Sequence, residues 1–255
     1  MNPGLLLAAP LLLAASLAAP MASAQPLTVA WREKAPYYYV EDGLEKGFML
    51  AYTKQLFASA GVEARFVREP HKRIWSRFAD GTRSYCSIAW YRLPERERIA
   101  QYSLPIYTDP PQTILVAPAA LERVRKHPTL ASMMADPVLT LAVMDGVSYG
   151  AELDARIKRS ANQIMRRTVP TSNMVQMLAA GRASYLLTDR NDWNYMRPRH
   201  KQLAGLVQYE VPDLPPGLKR YILCSRDVPA ATMDKLNQVI RQAPKPTPSP
   251  TPAEK

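Results

Sequence analysis

The sequence predicts an α/β protein made of two similar lobes. Short apolar runs that suit buried strands alternate with amphipathic stretches that suit helices, and this alternation is typical of α/β folds. Residues 78–85 (FADGTRSY) also resemble residues 178–185 (LAAGRASY). Each segment ends a helix, passes through a glycine cap and opens a strand with Ser-Tyr. This internal repeat indicates two lobes of related architecture.

Residues 1–24 are predicted to be a cleavable signal peptide. An apolar run over residues 5–19 is followed by an A-x-A cleavage site at residues 22–24 (ASA). The run is short for a membrane span and contains Pro10, and no cysteine follows the cleavage site to carry a lipid. The mature protein is therefore expected to be secreted to the periplasm.

The first lobe is predicted to start with a strand over residues 27–31 (LTVAW) and a long loop that contains three successive tyrosines, Tyr37 among them. Residues 48–60 follow as an amphipathic helix that Gly61 terminates, and residues 62–67 as a second strand. Tyrosines in such a loop either pack in the core or face a pocket. Loops at the carboxyl ends of strands are where open α/β sheets bind ligands.

Residues 81–107 (GTRSYCSIAWYRLPERERIAQYSLPIY) carry the strongest motif of the chain. Residues 84–90 form a β-rich apolar run that predicts a buried strand, and Pro94 suits the first position of the short helix that follows. Arg96 lies in the first turn of that helix, where a cation is unfavourable unless an anion is near. Arg96 therefore either pairs with a neighbouring glutamate in solvent or faces an anionic ligand.

The order of features in this stretch resembles the extracellular solute-binding proteins of family 3, the periplasmic receptors of polar amino-acid ABC importers. A strand, a short polar loop, Pro-Glu-Arg and then residues 102–107 (YSLPIY) match that family's pattern, roughly G-x-T-x-T-x-E-R followed by F-S-x-P-Y. The resemblance extends from about residue 27 to about residue 243. It implies a two-lobed periplasmic-binding-protein fold of type II, with discontinuous lobes and an interlobe ligand cleft.

The resemblance also implies ligand-binding residues in the first lobe. The family's arginine at the position of Arg96 forks onto the ligand carboxylate. The sequence departs from the family pattern at Ala89 and Tyr91, where Gly and Thr are usual and where the family contacts its ligand. The loop after the first strand presents an aromatic, which assigns that role to Tyr37, and His71 holds the place of a second aromatic. Nothing local pairs His71 with a nucleophile, so it is not predicted to be a catalytic base.

The second lobe is predicted to contain strands at residues 113–117, 138–143 and 185–189 and a helix at residues 173–180. By the resemblance, the loop that contains Met144 and Ser148 opens a helix whose amino terminus helps to bind the ligand carboxylate. Asp189 takes the place of the carboxylate that holds the ligand's ammonium group. Without the resemblance, Asp189 is equally well a helix N-cap or a solvated loop acid.

The chain is expected to cross between the lobes twice, near residues 108–112 and 212–217, and both segments are rich in proline. A last strand at residues 220–225 and a helix at residues 230–242 return to the first lobe. The resulting boundaries are residues 25–110 and 214–242 for lobe 1, residues 111–213 for lobe 2 and residues 243–255 (APKPTPSPTPAEK) for an extended, disordered tail.

The two cysteines, Cys86 and Cys224, both lie in apolar, strand-like runs. In an oxidising compartment they either form one disulfide or remain two buried thiols, since sequence alone does not supply the geometry. The resemblance places the return strand beside the strand that carries Cys86, which implies the disulfide. No CxxC pair or His/Cys cluster predicts a metal site, and no cofactor is expected.

The composition is that of a globular protein, with 47% hydrophobic and 22% charged residues and a net charge of +11. Residues 113–210 carry 13 Lys and Arg against 8 Asp and Glu, and the remainder carries 20 against 14, so the positive excess is spread over both lobes. No nucleic-acid-binding motif accompanies it, and a nucleic-acid partner is not predicted.

The predicted function is capture of a small amino acid or related carboxylate for an ABC-type importer, by a monomeric, non-enzymatic protein whose partner is an inner-membrane permease. Two alternatives stand beside it. One is a dehydratase-like enzyme on the same fold, with His71 or Asp189 as its acid or base. The other is a periplasmic receptor without its own permease. The main prediction for the site is a clamp in which Arg96 holds a carboxylate and Asp189 an ammonium from opposite lobes.

Overall fold

The computed structural model describes residues 26–248. The predicted signal peptide at residues 1–24 and residues 249–255 of the predicted tail lie outside the described residues. Two five-stranded sheets with flanking helices organise the chain, together with a two-stranded hairpin. The two-lobed α/β class expected from the sequence is confirmed.

The first sheet and its helices come from both ends of the described chain. The strands are β1 (Leu27–Trp31), β4 (Ala64–Arg68), β5 (Tyr85–Tyr91), β6 (Ala100–Thr108) and β12 (Lys219–Ser225), and the hairpin is β2 (Tyr39–Glu41) with β3 (Leu44–Lys46). The helices are α1 (Phe48–Ser59), α2 (His71–Ala79), α3 (Pro94–Glu97) and α9 (Ala230–Gln242).

The middle of the chain forms the second sheet. Its strands are β7 (Thr113–Val116), β8 (Thr140–Met144), β9 (Gln163–Arg167), β10 (Tyr185–Thr188) and β11 (Val207–Tyr209). Its helices are α4 (Leu121–Val124), α5 (Leu130–Met134), α6 (Ala151–Arg159), α7 (Thr171–Ala179) and α8 (Arg190–Met196), with 3-10 turns at Pro118–Ala120, Arg197–Arg199 and Lys201–Leu203.

The order of strands explains why the first lobe is discontinuous in sequence. The first sheet runs β4-β1-β5-β12-β6, with β4, β1 and β5 parallel and β12 inserted antiparallel between β5 and β6. The second sheet runs β11-β7-β10-β8-β9, with β10, β8 and β9 parallel. The chain leaves the first sheet after β6, builds the second sheet, and returns as β12.

Strand β1 of the first sheet alternates its side chains between two buried faces. Val29 and Trp31 pack with α1 and α9, whereas Ala30 packs with Ile74 of α2 and with Leu223 of β12. All five side chains are completely buried. A parallel sheet covered on both faces reads as a continuous apolar run, which is the pattern that β1 shows in the sequence.

The two segments that join the sheets are hydrogen-bonded to each other. The backbone N–H of Asp109, directly after β6, donates to the carbonyl of Leu218, directly before β12, at 2.9 Å. A Cβ atom at Gly217 would lie 1.6 Å from the carbonyl oxygen of Asp109, so only glycine permits this approach. The lobe boundaries predicted in these two segments stay a proposal.

Several element boundaries differ by a few residues from the prediction, and some elements were not predicted. The second strand begins at residue 64 instead of 62, and helix α7 begins at residue 171 instead of 173. The hairpin β2–β3, the edge strands β9 and β11, and helix α8 had no sequence prediction. Residues 243–248 form no helix or strand, and the Lys245 ammonium donates to the carbonyl of Pro105 at 3.1 Å.

Candidate functional site

The cleft lies where the carboxyl ends of strands from the two sheets face each other, as expected for an open α/β sheet. The first sheet contributes the segments that follow β1, β4 and β5, and the second contributes the ends of β8 and β10. The side chains that line the cleft are those of Arg32, Lys34, His71, Ala89, Trp90, Tyr91, Arg96, Gln112, Met144, Val147, Ser148, Tyr149, Leu187, Thr188, Asp189, Asp192 and Arg220.

Arg96 lines the cleft and rests on tryptophan. Its guanidinium carbon lies 4.5 Å from the ring centroid of Trp75 and 5.3 Å from that of Trp90, which are cation–π distances. One guanidinium nitrogen donates to the carbonyl of Tyr91 at 3.0 Å. Among the described residues, no carboxylate lies within salt-bridge distance of Arg96. The glutamates beside it in α3 therefore do not neutralise it, and the alternative of a solvated surface pair does not describe this side chain.

Arg32 is a second cation at the same place. Its guanidinium carbon lies 5.5 Å from the ring centroid of Trp90, the ring that Arg96 also approaches. Like Arg96, it has no salt-bridge partner among residues 26–248. Burial lowers the pKa of Arg96, and the neighbouring Arg32 lowers it further. Two like charges beside one ring are unfavourable unless an anion joins them.

His71 lies at the start of α2, against the Trp90 ring, at a centroid distance of 5.2 Å. The indole N–H of Trp75 donates to His71 Nε2 at 2.6 Å. Burial lowers the pKa of His71 to about 4, and Arg32 and Arg96 contribute to the shift. His71 is thus a neutral, aromatic part of the cleft wall whose Nε2 lone pair is already engaged.

Asp189 lies at the end of β10 and is already satisfied by the protein. One carboxylate oxygen caps α8 by accepting from the Asn191 N–H at 2.8 Å. The other accepts from the Tyr37 hydroxyl at 2.6 Å and from the Arg220 guanidinium at 3.0 Å, and the Lys34 ammonium lies 3.6 Å away. Burial by itself would raise the pKa of Asp189, but Lys34 and Arg220 outweigh it and hold that pKa below its ordinary value.

Tyr37 lies behind the surface of the cleft, whereas the family resemblance implied that its ring faces the ligand. Its side chain is completely buried and does not line the cleft. Its hydroxyl donates toward Asp189 and Asp109 and accepts from the Asn191 amide at 2.9 Å. The position was predicted to be either packing or pocket, and it packs because its hydroxyl has three partners behind the cleft surface.

Arg220 joins the two sheets through the acids that surround it. It lies near the start of β12, where it is opposite Tyr91 of β5. Its guanidinium donates to Asp109 at 2.7 Å, to Asp189 at 3.0 Å and to the carbonyl of Ala89 at 3.1 Å. Burial opposes the charged form, but Asp109 and the other partners outweigh it and raise the pKa of Arg220 well above its ordinary value.

Tyr91 takes part in the same network. Its hydroxyl donates to Asp109 at 2.5 Å and accepts from Arg220 at 3.1 Å. Burial raises the pKa of Tyr91 well above its ordinary value, so the hydroxyl remains a donor. The resemblance puts threonine at the position of Tyr91. The longer tyrosine side chain spans the distance from β5 to Asp109, in the segment between the sheets.

Lys34 pairs with a second acid of the second lobe, Asp192 in the first turn of α8. Both side chains are largely buried, with 12% and 4% of their surfaces exposed. Burial raises the pKa of Asp192, Lys34 opposes this rise, and Asp189 adds to it. The acids Asp109, Asp189 and Asp192 with the cations Lys34 and Arg220 form one buried cluster, called the interlobe cluster below.

Ala89 has a backbone conformation that suits glycine. Its φ is 60°, in the left-handed region, although it lies within β5 and is 2% exposed. The pairing of β12 with β5 shifts register between Tyr221 and Leu223, opposite this irregularity. The turned backbone directs the Ala89 carbonyl to Arg220. The family's usual glycine is explained by this φ, and alanine adopts it at a modest cost.

Met144 and Ser148 both line the cleft, but the helix that follows is not free to bind an anion as predicted. Helix α6 begins at residue 151, and the Asp154 carboxylate accepts from the Tyr149 N–H at 2.8 Å and from the Ser148 hydroxyl. Ser148 Oγ in turn accepts from the Gly150 N–H at 3.0 Å. The chain thus supplies its own carboxylate to this helix start.

Cys86 and Cys224 are joined by a disulfide between β5 and β12, with 4.0 Å between their Cα atoms. Both cysteines are completely buried, directly across from each other in the antiparallel ladder. The bond links the strand that carries Tyr91 to the strand that carries Arg220.

Solved amino-acid-binding proteins are similar to this structure. An ancestral arginine-binding protein bound to arginine matches with a TM-score of 0.67 at 18% identity, over 85% of this chain and 91% of that chain. This is the fold of the family 3 amino-acid-binding proteins. The resemblance expected from residues 81–107 is therefore confirmed in the architecture of the chain.

Two further proteins of this fold have a similar degree of likeness. The arginine-, lysine-, histidine-binding protein ArtJ from Geobacillus stearothermophilus gives a TM-score of 0.66 at 15% identity, over 86% of this chain and 89% of that chain. The ancestral amino acid-binding protein AncCDT-1, a precursor of cyclohexadienyl dehydratase, gives 0.64 at 18% identity, over 85% and 88%. The sequence matches no protein-family profile and no curated protein.

Five charged residues in or directly behind this cleft were missed by the sequence reasoning. They are Arg32, Lys34, Asp109, Asp192 and Arg220. A usable signal was present for two of them: Arg32 directly follows the apolar strand β1, and Arg220 precedes the apolar run of β12. A charge at the edge of a buried strand, at the end where the cleft forms, is a candidate for the site.

The described residues show neither a metal centre nor a membrane-spanning helix. Within residues 26–248, no group of three or more His, Cys, Asp or Glu side chains is placed to hold a metal ion. No helix in the same range has the length and apolar character needed to cross a membrane.

Proposed function

We propose that the protein binds a small carboxylate solute in the cleft between its lobes, without covalent chemistry, for delivery to an ABC-type importer in the inner membrane. One observation carries the proposal: Arg96 lies in the cleft on a tryptophan platform, with no carboxylate partner among the described residues. Arg is suited to this role because its planar fork matches a carboxylate and keeps its charge at any relevant pH.

The similar structures support the class of function. Proteins of this fold are described as binding arginine, lysine, histidine or other amino acids. The predicted signal peptide and the periplasmic setting of this fold support secretion to the periplasm, where a monomer would meet its permease. The family resemblance supports an importer permease as the partner, and the residues of the cleft support a small carboxylate as the ligand.

The enzyme alternative is less well supported by the cleft. A dehydratase-like reaction needs an acid or base that can reach the substrate. The lone pair of His71 accepts from Trp75, and the oxygens of Asp189 accept from Asn191, Tyr37 and Arg220. Both of the candidates named from sequence are therefore occupied, which favours binding over catalysis.

A screen of small carboxylates and L-amino acids by thermal shift, followed by isothermal titration, tests the proposal. A ligand at a hundredfold excess over its Kd should stabilise the protein by about 2.7 kcal/mol. The Arg96→Gln variant should bind that ligand at least about thirtyfold more weakly, because it loses a charge-assisted contact of about 2 kcal/mol or more.

Arg65→Gln is the matched control, since Arg65 lies exposed on β4 and outside the cleft lining. It removes the same charge and should leave binding unchanged. Equal affinity of Arg96→Gln and the parent protein for the identified ligand would reject the role of Arg96. Absence of any thermal shift across the whole screen would reject the function.

A further inference from the structure

The clamp predicted from the sequence assigns the ligand's ammonium to Asp189, and the structure gives that place to the protein's own cations. Arg220 lies 3.0 Å and Lys34 3.6 Å from the same Asp189 oxygen. Lys34 also pairs with Asp192. A ligand ammonium would have to enter as a third cation and compete for Asp189 oxygens that already accept from Tyr37, Asn191 and Arg220.

The opposite situation holds at the other side of the cleft. Arg32 and Arg96 approach the same Trp90 ring, at 5.5 Å and 5.3 Å from its centroid, and neither has a carboxylate partner in the part of the chain that the structure describes. His71, against the same ring, carries no charge that could balance them. The wall formed by Arg32, His71, Trp90 and Arg96, called the arginine wall, therefore has two positive charges without a salt-bridge partner among the described residues, and the carboxylates of Glu95 and Asp154 act on Arg96 only at longer range.

A buried hydroxyl points to a ligand between these regions. Thr188, the last residue of β10, is 3% exposed and lines the cleft, and its Oγ1 has no hydrogen-bond partner among the described residues. A buried hydroxyl without a partner is destabilising and therefore rare in folded proteins. An anionic oxygen is an acceptor that would satisfy it.

The α6 helix start does not compete for the anion. The Asp154 carboxylate already accepts from the Tyr149 N–H and the Ser148 hydroxyl. An anionic ligand is consequently drawn to the arginine wall, where neither arginine has a salt-bridge partner among the described residues.

We propose that the cleft selects small organic dianions that carry no ammonium group, such as dicarboxylates, with one anionic group on Arg96 and the other on Arg32. This inference rests on the proposed function and narrows its ligand from amino acids and carboxylates to one class. The resident cations Lys34 and Arg220 take the place of the ammonium, and Thr188 donates to the bound anion.

Matched ligand pairs test the inference by isothermal titration with the full mature chain. The dicarboxylates from malonate to adipate are compared with the L-amino acids of the same skeleton, such as succinate with L-aspartate and glutarate with L-glutamate. The best dicarboxylate should bind at least about tenfold more tightly than its amino analogue. The monocarboxylate of the same length should bind more weakly than the dicarboxylate.

The Arg32→Gln variant separates the two anionic groups. It should weaken the dicarboxylate at least about tenfold and leave the monocarboxylate of the same length unchanged, because only the second anionic group uses Arg32. Arg65→Gln should change neither affinity. A structural role for Arg32 would instead lower both affinities together or lower the melting temperature without ligand.

The failures of the two proposals are distinguishable. An amino acid that binds as tightly as, or more tightly than, its matched dicarboxylate overturns the dianion inference and leaves solute capture standing. Equal loss of mono- and dicarboxylate binding in Arg32→Gln also overturns it. If neither carboxylates nor amino acids bind the folded protein, solute capture itself is overturned and the inference with it.

Discussion

The cleft contains two pairs of cations that differ in their partners. Lys34 and Arg220 belong to the interlobe cluster, where buried carboxylates surround them. Arg32 and Arg96 belong to the arginine wall, where aromatic rings replace the carboxylates. Removing one partner from a buried, paired set leaves an uncompensated charge, whereas removing an unpaired cation relieves repulsion.

The comparison separates charges that are paired within the fold from charges that stay unpaired in the cleft. The interlobe cluster holds β12 of the first sheet against Asp189 of the second, so its charges are used within the protein. The arginine wall has its charges available in the cleft. The family resemblance implies a single ligand clamp made of Arg96 from the arginine wall and Asp189 from the interlobe cluster, and the surroundings of Asp189 argue against that clamp.

The largest expected effect is on the free energy of unfolding, when the same Arg→Gln substitution is made in each of the two regions. Arg220→Gln leaves Asp109 buried without its cation and Asp189 with Lys34 alone, and it should lower the free energy of unfolding by about 3–5 kcal/mol. Arg32→Gln should change it by less than about 0.5 kcal/mol or raise it slightly. Urea unfolding at neutral pH measures both values.

Similar losses for these two variants would contradict the division between structural and ligand-directed cations. If Arg220→Gln does not fold, Arg220→Lys keeps the charge without the bidentate fork and gives a smaller, measurable loss. Arg65→Gln is the control for the removal of an exposed arginine.

Removal of the disulfide gives the next largest expected effect. The bond lies within the first sheet. Cys86 and Cys224 close a loop with a sequence separation of 138, and they link β5 to β12. The Cys86→Ala/Cys224→Ala variant should lose about 2–4 kcal/mol of stability, since the bond restricts the unfolded chain. Urea unfolding measures the loss, and titration should show the ligand preference unchanged. A changed preference would mean that the disulfide also positions the arginine wall.

The smallest expected effect is on the pH dependence of stability, which depends on the positive charge of the arginine wall beside His71. Burial, with Arg32 and Arg96, lowers the pKa of His71 from 6.5 to about 4. Unfolded His71 takes up a proton below about pH 6.5, whereas folded His71 stays neutral to about pH 4, so the free energy of unfolding falls as the pH is lowered through that window. His71→Gln should remove about 1–2 kcal/mol of the fall, after allowance for the partial exposure of the ring.

Unfolding curves between pH 7 and pH 4 measure this dependence, with His200→Gln as the control outside the cleft lining. An identical pH dependence in His71→Gln and the parent would show that the wall does not hold His71 neutral. Arg32→Gln should raise the pKa of folded His71 and so make the fall in the free energy of unfolding smaller, because it removes one of the cations that oppose protonation of His71.

The amino-acid pattern was enough to predict the α/β class of the fold and most of the buried strands. The apolar runs at β1, β5, β10 and β12 and the helix α9 were predicted close to their observed bounds, because buried strands and amphipathic helices carry local patterns. The edge strand β9 was missed, since its residues QIMRR lack both a continuous apolar run and clear alternation. Short edge strands are defined by the neighbour with which they pair.

Sequence also located most of the cleft. Arg96, Asp189, Ala89, Tyr91, His71, Met144 and Ser148 all line it, because the motif fixes which loops follow which strands. Whether these residues bind ligand stays a prediction. The place of Tyr37 behind the cleft depends on its hydroxyl contacts with Asp109 and Asp189, which lie 72 and 152 residues away in the chain.

The pairing of the charges depends on contacts between residues that are far apart in the chain. Arg220 meets Asp109 and Asp189 across separations of 111 and 31 residues, and Lys34 meets Asp192 across 158. A sequence gives the number of charges but not the distance between them, and electrostatic energy depends on distance and burial. Which acids were already satisfied, and which arginines still lacked a partner, followed only when the two lobes were brought together.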